Sequence, residues 1–454
     1  MATQGLELPV TPTDLVLRSA HQPHVFVLDG GSLASWGTGR ALFGCRPRAT
    51  LRVDADGNAV VGGGVAERWR GDPFALLERF RSRYAPPDAA AAEPFAGGLV
   101  VALSYDLRSW VEPLPLRRDA GCAPLLHAAL YDWLLSYSYV EGRYELASWC
   151  RSPGELAAIA AEIEAWAAAP VPGLIGSPPA RAECDWSRER YLDAAQRALR
   201  YIAAGDIYQV NLAQRFVVSN PPAPAALFAA LQRQHPVPFA AYVDGGDFVL
   251  VSNSPECFLA LEGETLATCP IKGTRPRGTD RAADQRLARQ LETDAKERAE
   301  HVMIVDLERN DLGRVCRTGS VRVEELARVY TFPSLHHMVS RVAGTVRPGI
   351  GLADILRATF PGGSITGAPK IRAMQIIDEL EPVARGFYTG AVGFFNLAGD
   401  AVFNLAIRTA VAAADQVTYH AGGGIVADSV AEQEYEETLL KAQPFFAALM
   451  STTA

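Results

Sequence analysis

Hydrophobic and polar positions divide the chain into a strand-rich first part and a second part with stronger helical periodicity. Before residue 150, short apolar or alternating runs bounded by Gly and Pro predict strands. These runs are 25–28, 99–103 and 131–139. A helix is predicted over 152–169, and the Pro- and Gly-rich stretch 170–179 follows it. That stretch predicts a boundary between a region 1–175 and a region 185–450, with a surface crossover as the alternative.

In the second part, apolar residues recur mainly at spacings of three and four, which predicts helices. The predicted helices are 187–204, 282–311, 351–359, 369–380 and 428–449. Residues 207–218 read as a strand after the turn Gly205-Asp206. A second strand, 416–419, is predicted to end before Gly422-Gly423-Gly424.

Composition limits the classes of partner. With 454 residues, 49% of them hydrophobic, the chain can bury a large core as one α/β unit or as two lobes. The net charge of −8 and the lack of a basic run argue against nucleic acid. Residues 1–15 lack the pattern of a signal peptide, and no 18-residue window is wholly apolar. Seven scattered cysteines without a CxxC pair indicate reduced thiols, so we expect a cytoplasmic protein without a membrane partner.

A lysine and a glutamate each lie alone in an apolar stretch. Lys272 is flanked by Pro, Ile and Gly, and burial together with the nearby Arg275 and Arg277 would lower its pKa. A lysine amine becomes a usable nucleophile in this way, although an exposed turn lysine is the alternative. Glu256 lies between two apolar stretches, so its pKa is expected to be raised, as in a general acid. The alternative is that Glu256 is a turn residue between two strands of a hairpin.

Two predicted helices carry acidic pairs at the same spacing. Glu297 and Glu300 lie three positions apart in the first, as do Glu434 and Glu437 in the second, where Lys441 follows four positions later. Residues at these spacings share a helix face. Either helix alone is typical of a solvated surface with a salt bridge. Two facing carboxylate pairs, however, would suit Mg²⁺ and a substrate with anionic oxygens.

Two glycine-rich segments and one arginine are candidates for anion binding. Residues 361–370 lead into a helix with Pro369 expected at its first position, and a helix start favours a carboxylate or phosphate. The run Gly422-Gly423-Gly424 permits close approach of backbone to a ligand, with a flexible turn as the alternative. Arg408 is placed on a largely apolar strand, where burial would require an anionic partner.

Nine segments between 187 and 446 resemble the chorismate-utilising enzymes. They are IYQVNLAQRF, SNSPECFL, PIKGTRPRG, EHVMIVDLERNDLGRV, FPGGSITGAPKIRAMQIIDELEP, GFYTGAVGFF, LAIRT, HAGGGIVADS and EYEETLLKA. The first 150 residues resemble the family's N-terminal part more weakly. The resemblance implies an α+β fold of two antiparallel sheets packed face to face, with helices outside and the site in a central cleft.

Within this family, two positions separate the reactions. Members that add water carry a lysine where this chain has Gln209, and anthranilate synthases carry alanine where it has Lys272. The lysine version resembles the members that make 4-amino-4-deoxychorismate, the precursor of p-aminobenzoate for folate. The resemblance implies that Lys272 attacks C2 of chorismate while Glu256 protonates the departing C4 hydroxyl. Ammonia then adds at C4 and expels Lys272.

The resemblance also implies a ligand set. Glu300 and Glu437 would hold Mg²⁺, with Glu297 and Glu434 close behind. The substrate-binding groups would be Thr274, His337, Tyr388, Arg408, Lys441 and the amides of Gly422, Gly423 and Gly424. No glutaminase motif is present, so ammonia would come from a separate glutamine amidotransferase subunit or from free ammonium.

Two other functions stay open at this point. One is anthranilate synthase component I, against which Lys272 argues. The other is a non-catalytic homologue that docks a glutaminase, which the complete set of predicted residues disfavours. Some family members bind tryptophan in the N-terminal sheet, but residues 28–32 depart from the usual Leu-Glu-Ser pattern. We therefore expect no feedback inhibition, while a buried structural tryptophan stays open.

Overall fold

The computed structural model describes residues 2–31, 38–85, 94–114, 123–171, 180–332 and 335–452. The helices are α1 (Pro12–Ser19), α2 (Pro73–Tyr84), α3 (Pro153–Ala168), α4 (Arg188–Ala203), α5 (Pro224–Gln234), α6 (Arg281–Thr293), α7 (Ala295–Gly313), α8 (Leu352–Thr359), α9 (Lys370–Leu380) and α10 (Ala431–Thr452). Short 3₁₀ helices lie at Tyr105–Trp110 and Gly363–Ile365.

The strands of the first region are β1 (Ala2–Leu6), β2 (Phe26–Asp29), β3 (Arg40–Gly44), β4 (Ala49–Val53), β5 (Asn58–Gly62), β6 (Glu67–Arg70), β7 (Gly98–Leu103), β8 (Leu126–Tyr131), β9 (Trp133–Ser138) and β10 (Arg143–Ser148). Those of the second are β11 (Arg181–Cys184), β12 (Gln209–Ser219), β13 (Ala240–Asp244), β14 (Phe248–Asn253), β15 (Cys257–Glu262), β16 (Thr265–Cys269), β17 (Ile271–Pro276), β18 (Arg322–Thr331), β19 (Leu335–Thr345), β20 (Gly367–Ala368), β21 (Ala391–Asn396), β22 (Ala401–Leu405), β23 (Thr409–Ala413) and β24 (Gln416–Val426).

These strands form two large antiparallel sheets. The first has the order β1-β10-β9-β3-β2-β13-β14-β23-β24-β12-β11, with β20 added beside β12. The second has the order β17-β19-β16-β15-β22-β21-β7-β8-β4-β5-β6, with β18 added beside β19. Phe26 and Leu250 of the first sheet share an apolar cluster with Val100 and Phe394 of the second, so the sheets pack face to face. The predicted fold class is confirmed.

Helices cover the outer faces. The apolar side chains of α1, α3, α5 and α10 pack on the first sheet, and those of α2, α7 and α8 pack on the second. Helices α4 and α9 join β12 and β24 in a further cluster. No helix in the described ranges combines the length and apolarity needed to cross a membrane.

Strands from both predicted regions enter both sheets. Strands β2 and β13 are neighbours in the first sheet, and β7 and β21 are neighbours in the second. The apolar cluster on the first sheet likewise contains Leu6 and Phe445. The regions 1–175 and 185–450 therefore share their cores. Most of the predicted boundary, residues 172–179, lies outside the described residues.

Three predicted elements differ from the structure. Residues 282–311 form two helices, because the side chain of Asp294 accepts hydrogen bonds from the first turn of α7 and so starts a new helix. Residues 131–139 contribute to two strands, β8 and β9, with a break at Asp132. Pro369 was predicted to be the first residue of a helix, but it is the N-cap of α9, and the helix begins one position later at Lys370.

Candidate active site

Lys272 and Glu256 meet at one serine of the loop that precedes α9. Lys272 lies on β17, and its Nζ donates to the carbonyl oxygen of Ser364 at 3.1 Å. The Oγ of Ser364 donates to Oε1 of Glu256 at 2.6 Å. The structure therefore brings both predicted catalytic residues to one point, although they lie 92 and 108 positions from Ser364. The sequence did not single out Ser364, and its place inside the glycine-rich segment was the only signal.

Burial lowers the pKa of Lys272, in the predicted direction. The loss of solvation is the largest cause, and the ammonium of Lys441 adds to it, while Glu256, Glu300 and Glu437 act in the opposite sense. The carboxylates do not reverse the shift. A fraction of neutral amine is thus available at lower pH than for an exposed lysine.

The predicted role of the two nearby arginines is wrong. Arg275 donates to Asp294 and to Glu297, at 2.8 and 3.1 Å. Arg277 forms a bidentate pair with Asp284 of α6. Both guanidinium groups are thus neutralised by acidic partners, and burial together with Lys441 replaces them as the cause of the shift at Lys272.

Glu256 is a buried carboxyl group in the connection between β14 and β15. Burial raises its pKa to about 7, against the opposing effects of Ser364, Lys272 and Arg408. A large share of Glu256 is therefore protonated near neutral pH, which a general acid requires.

Arg408 faces this carboxyl group from the connection between β22 and β23. The sequence placed it on a strand, but it has a φ of 50°, which ends β22 and starts the turn into β23. Its guanidinium has no hydrogen-bond or ion-pair partner within the described ranges. Burial lowers its pKa, which Tyr419 and Glu256 oppose. A half-buried arginine without an anionic partner is suited to an anionic ligand.

The three glycines lie inside a strand, which corrects the prediction that the strand ends before them. Strand β24 runs through Gly422-Gly423-Gly424 and pairs with β12 along this stretch. Strand β23, its other neighbour, pairs only with residues 416–419. The glycines therefore have a partner strand on one side, and their backbone faces an open edge on the other.

Two of the three glycine amides point toward that open edge. Ala213 and Asn211 lie opposite Gly422 and Gly424, but their N–H groups donate elsewhere, to Glu381 and to Thr366. These pairs are thus the non-hydrogen-bonded type, in which N–H and C=O of both residues point away from the partner strand. The carbonyl of Gly422 accordingly accepts from Lys441 Nζ at 3.0 Å. The amides of Gly422 and Gly424 are available to a ligand, whereas that of Gly423 points to β12.

The glycines also leave room beside the lysine. A Cβ on Gly424 would lie 3.0 Å from Nε2 of Gln209 and 3.6 Å from Nζ of Lys272. A Cβ on Gly422 would lie 2.8 Å from the hydroxyl of Tyr388. The amide of Gln209 is fully buried, and neither its oxygen nor its nitrogen has a partner in the described part of the chain. Gln209 therefore presents an unsatisfied polar group close to the lysine.

Glu434 and Glu437 lie on the face of β24 opposite to the one that faces Lys272. A Cβ on Gly423 would lie 3.3 Å from Oε2 of Glu434 and 3.6 Å from Oε1 of Glu437. Glu437 forms an ion pair with Lys441 at 2.6 Å. Burial raises the pKa of Glu434, and Ser429 opposes this effect with a 2.6 Å hydrogen bond. For Glu437, burial is outweighed by Lys441, and its pKa is lowered.

Glu297 and Glu300 of α7 have different partners. Glu297 is held by Arg275 in the ion pair described above. Glu300 has its pKa raised by burial first, then by Glu297 and by Glu434 of the other helix, against Lys272 and Lys296. Glu300 and Glu434 therefore face each other closely enough for like charges to interact.

These carboxylates fit a magnesium ion by their chemistry. No group of three or more His, Cys, Asp or Glu side chains in the described ranges forms a ready-made metal cluster. Mg²⁺, however, needs only one or two protein carboxylates when substrate and water supply the other oxygens. Burial is the main cause of the raised pKa of Glu300, and a cation bound by these carboxylates would relieve the repulsion from Glu297 and Glu434 that adds to it.

Three further predicted residues border the cleft. His337 on β19 is buried, and its Nδ1 lies 2.9 Å from Oγ1 of Thr274. Burial and then Arg408 lower the pKa of His337 to about 3, so the ring is neutral. Tyr388 stacks on His420 with centroids 5.0 Å apart, and burial raises its pKa to about 12. Its hydroxyl therefore keeps its proton and is a hydrogen-bond donor.

A separate cavity of about 540 Å³ lies between the two sheets. Its walls include Asp29 and Arg40 of the first sheet and Phe394 and Asn404 of the second. None of the predicted site residues is among the described residues that line it. The residues around Lys272 thus lie outside this cavity.

Comparisons with known proteins identify the family of this chain. Residues 36–447 match the family model described as chorismate binding enzyme. The chain is 42% identical to anthranilate synthase component 1 of Thermus thermophilus over 90% of its own length and 88% of the relative's. It is 39% identical to aminodeoxychorismate synthase component 1 of Klebsiella aerogenes over 87% of each.

A solved structure supports the same assignment. Anthranilate synthase component I of Streptococcus pneumoniae superposes with a TM-score of 0.80 at 29% identity, over 89% of this chain and 92% of that one. The family match, the two relatives and the shared fold all cover most of the sequence. This chain belongs to the family of chorismate binding enzymes.

Proposed function

We propose that this chain is the synthase component that converts chorismate and ammonia to 4-amino-4-deoxychorismate. The observation that carries the proposal is the Nζ of Lys272, held beside the carboxyl group of Glu256 through Ser364. Anthranilate synthases are expected to carry alanine at position 272, so this amine would be absent from them. A lysine of lowered pKa next to a carboxyl group of raised pKa is the pairing that nucleophilic attack with acid assistance requires.

The proposed first step is attack of the neutral Lys272 amine on C2 of chorismate. The ring double bond shifts, the C4–O bond breaks, and Glu256 gives its proton to the leaving oxygen, which departs as water. Ammonia then attacks C4, the double bond shifts back, and the C2–N bond to Lys272 breaks. Glu256 takes back one proton from the incoming nitrogen. Chorismate and ammonia become the aminated product and water, and both side chains return to their starting state.

The substrate carboxylates would be bound by groups around the amine. The N–H groups of Gly422 and Gly424 point toward the cleft, and the guanidinium of Arg408 has no anionic partner in the described ranges. Lys441 and the hydroxyl of Tyr388 lie beside the glycines. Thr274 and His337 would line the opposite wall.

Glu300 and Glu437 would hold Mg²⁺, with Glu297 and Glu434 nearby. When bound, this ion supplies positive charge that attracts and orients a carboxylate of the substrate. Ammonia would come from a separate glutamine amidotransferase subunit or, in the absence of this partner, from free ammonium.

A second candidate is anthranilate synthase component I. Two relatives from Thermus thermophilus and Pseudomonas putida carry that name at 42% and 38% identity, and so does the superposed structure. In that reaction, ammonia adds directly at C2, the carbon that Lys272 would otherwise attack. The two candidates therefore differ in the atom that reaches C2.

Product identity separates the candidates. The purified chain is incubated with chorismate, Mg²⁺ and ammonium at mildly alkaline pH, and products are analysed by chromatography with mass detection. We expect aminodeoxychorismate, and we expect Lys272→Ala to lose its formation. Arg309→Ala, an exposed basic residue of α7 that pairs with Asp306, is the matched control and should retain the same product.

Two outcomes would contradict the proposal. Anthranilate from the native chain would establish the second candidate. No consumption of chorismate would indicate the non-catalytic homologue. As a direct test of the covalent step, intact-mass analysis after a chorismate-only incubation should show an adduct of chorismate less one water, and Lys272→Ala should lack it.

A further inference from the structure

Glu308 of α7 is a buried carboxyl group that the chemistry above does not use. It is 3% exposed, and its Oε1 accepts the backbone N–H of Gly363 at 2.9 Å. Its Oε2 is buried without a hydrogen-bond partner in the described part of the chain. Gly363 directly precedes Ser364, whose side chain and carbonyl contact Glu256 and Lys272.

The geometry points to Glu308 as a positioning residue for the Lys272–Glu256 pair. Helix α7 touches the loop at Gly363 itself, since a Cβ there would lie 2.6 Å from Leu307 and 3.0 Å from Oε1 of Glu308. The hydrogen bond that Gly363 donates to Glu308 thus holds the peptide between Gly362 and Gly363, one residue before Ser364. Because Ser364 follows directly in the same short 3₁₀ helix, the position of this peptide limits where the Ser364 oxygens lie. This inference rests on the proposed function for its activity readout.

A purely structural role does not account for this side chain. The loop is already tied to α7 through Lys370, which pairs with Asp311 and donates to the carbonyls of Thr359 and Pro361. A buried carboxyl group with an unsatisfied oxygen is destabilising compared with an apolar side chain of similar size. Such costly groups persist where the arrangement serves a site.

Glu308 acts in its neutral form. Burial raises its pKa to about 8, and the charges of Asp311 and Glu256 act in the same direction, against Lys370 and the N–H of Gly363. At neutral pH, Oε1 is then a carbonyl acceptor and Oε2 carries the proton. A glutamine has the same shape and the same acceptor, so it should replace the protonated acid, whereas a leucine cannot accept the bond.

The test compares Glu308→Gln with Glu308→Leu in the full chain. With chorismate, Mg²⁺ and ammonium, we expect Glu308→Gln to keep kcat within about threefold. Glu308→Leu should lower kcat by about 10- to 100-fold with little change in KM, because misplacement of reacting groups acts on the chemical step. Leu312→Ala, on the same helix and fully buried, is the matched control for stability. It should lower the unfolding midpoint while leaving kcat unchanged.

A second readout is independent of the product. The rate at which an amine-reactive reagent modifies Lys272 is followed by peptide mass analysis. It should rise several-fold in Glu308→Leu, because the loop no longer holds the amine, and stay unchanged in Glu308→Gln and Leu312→Ala. If the product is not aminodeoxychorismate but these labelling rates hold, the positioning role stands and the proposed function fails. Native kcat and labelling in Glu308→Leu, or equal losses in both Glu308 variants, would overturn the positioning role.

Discussion

Lys272 and Lys370 both donate to the loop 361–366, from β17 and from α9. Their surroundings differ, and so does the ease with which each loses its proton. Lys370 forms an ion pair with the buried Asp311 and donates to the carbonyl oxygens of Thr359, at the end of α8, and of Pro361, in the loop. Lys272 donates to Ser364 on the same loop, but no carboxylate in the described ranges lies within ion-pair distance of it. A paired ammonium stays charged and holds the chain in place. A buried ammonium without a pair releases its proton more easily and becomes a nucleophile.

Composition sharpens this comparison. Only four of the 43 Lys and Arg residues are lysines. Lys272, Lys370 and Lys441 contact the loop 361–366, α7 or β24, and Lys296 is 4.0 Å from Glu300. Arginine supplies the other positive charges, including that of Arg408 beside Glu256. Lysine is thus found where a compact ammonium or an ionisable amine is needed. Arginine cannot supply an ionisable amine, because its guanidinium stays charged.

The largest expected effect is on activity at Lys272. Lys272→Met should lower formation of the aminated product by at least about 10³-fold, because the nucleophile is removed. The unfolding midpoint should stay the same or rise, since no ion pair is broken. Steady-state kinetics and thermal unfolding on the same samples check this. Activity within tenfold of the native chain would show that the two lysines do not differ as described.

The second expected effect is on stability at Lys370. Lys370→Met leaves Asp311 buried and unpaired, which should lower the free energy of unfolding by about 3–5 kcal/mol. Chemical denaturation measures this loss. The double variant Lys370→Met/Asp311→Leu removes both charges and should recover most of it. If the single variant loses less than about 1 kcal/mol, the ion pair is not the anchor of the loop.

The third expected effect is a pH dependence of kcat/KM, which arises from Glu256, the residue that shares Ser364 with Lys272. Glu256 must be protonated to act as the acid, and its pKa is about 7. The attack also needs a neutral Lys272, so at a constant concentration of neutral ammonia kcat/KM should fall tenfold per pH unit only where the pH is above both about 7 and the lowered pKa of Lys272. Glu256→Gln should show a low activity without this decline. An alkaline decline that persists in Glu256→Gln would assign it to another group.

The same group links pH to stability. The folded pKa of Glu256 lies above its ordinary value of 4.5, so the folded state binds more protons between about pH 4.5 and 7. The free energy of unfolding should accordingly fall as pH rises through this window, by on the order of 3 kcal/mol. Glu256→Gln should remove that part of the slope.

The smallest expected effect is at the glycines. The Cβ of Gly424→Ala would crowd Gln209 and reach the amine of Lys272, so KM for chorismate should rise by roughly tenfold. Gly5→Ala in β1 meets no atom within 4 Å and is the matched strand control, with native kinetics. An equal response of both variants would show that the space beside Lys272 is not used.

Much of the fold, and the residues proposed for the site, could be predicted from the sequence. The family motifs predicted two antiparallel sheets with outer helices, and the structure and the TM-score of 0.80 confirm this fold. Glu256, Lys272 and Arg408 were selected because a charged residue in an apolar stretch destabilises the fold when it is buried without a partner or ligand. Their assigned roles in binding and catalysis stay predictions.

The sequence by itself determined the residue types, the helix faces and the family, because these depend on local spacing and on motifs that can be read in order. Only the tertiary structure decided which groups meet. Ser364 joins Lys272 and Glu256 across about 100 positions, Arg275 and Arg277 pair away from the lysine, and β24 continues through the glycines. Such contacts depend on strand register and packing between distant segments, and burial in that packing sets the pKa values on which the chemistry depends.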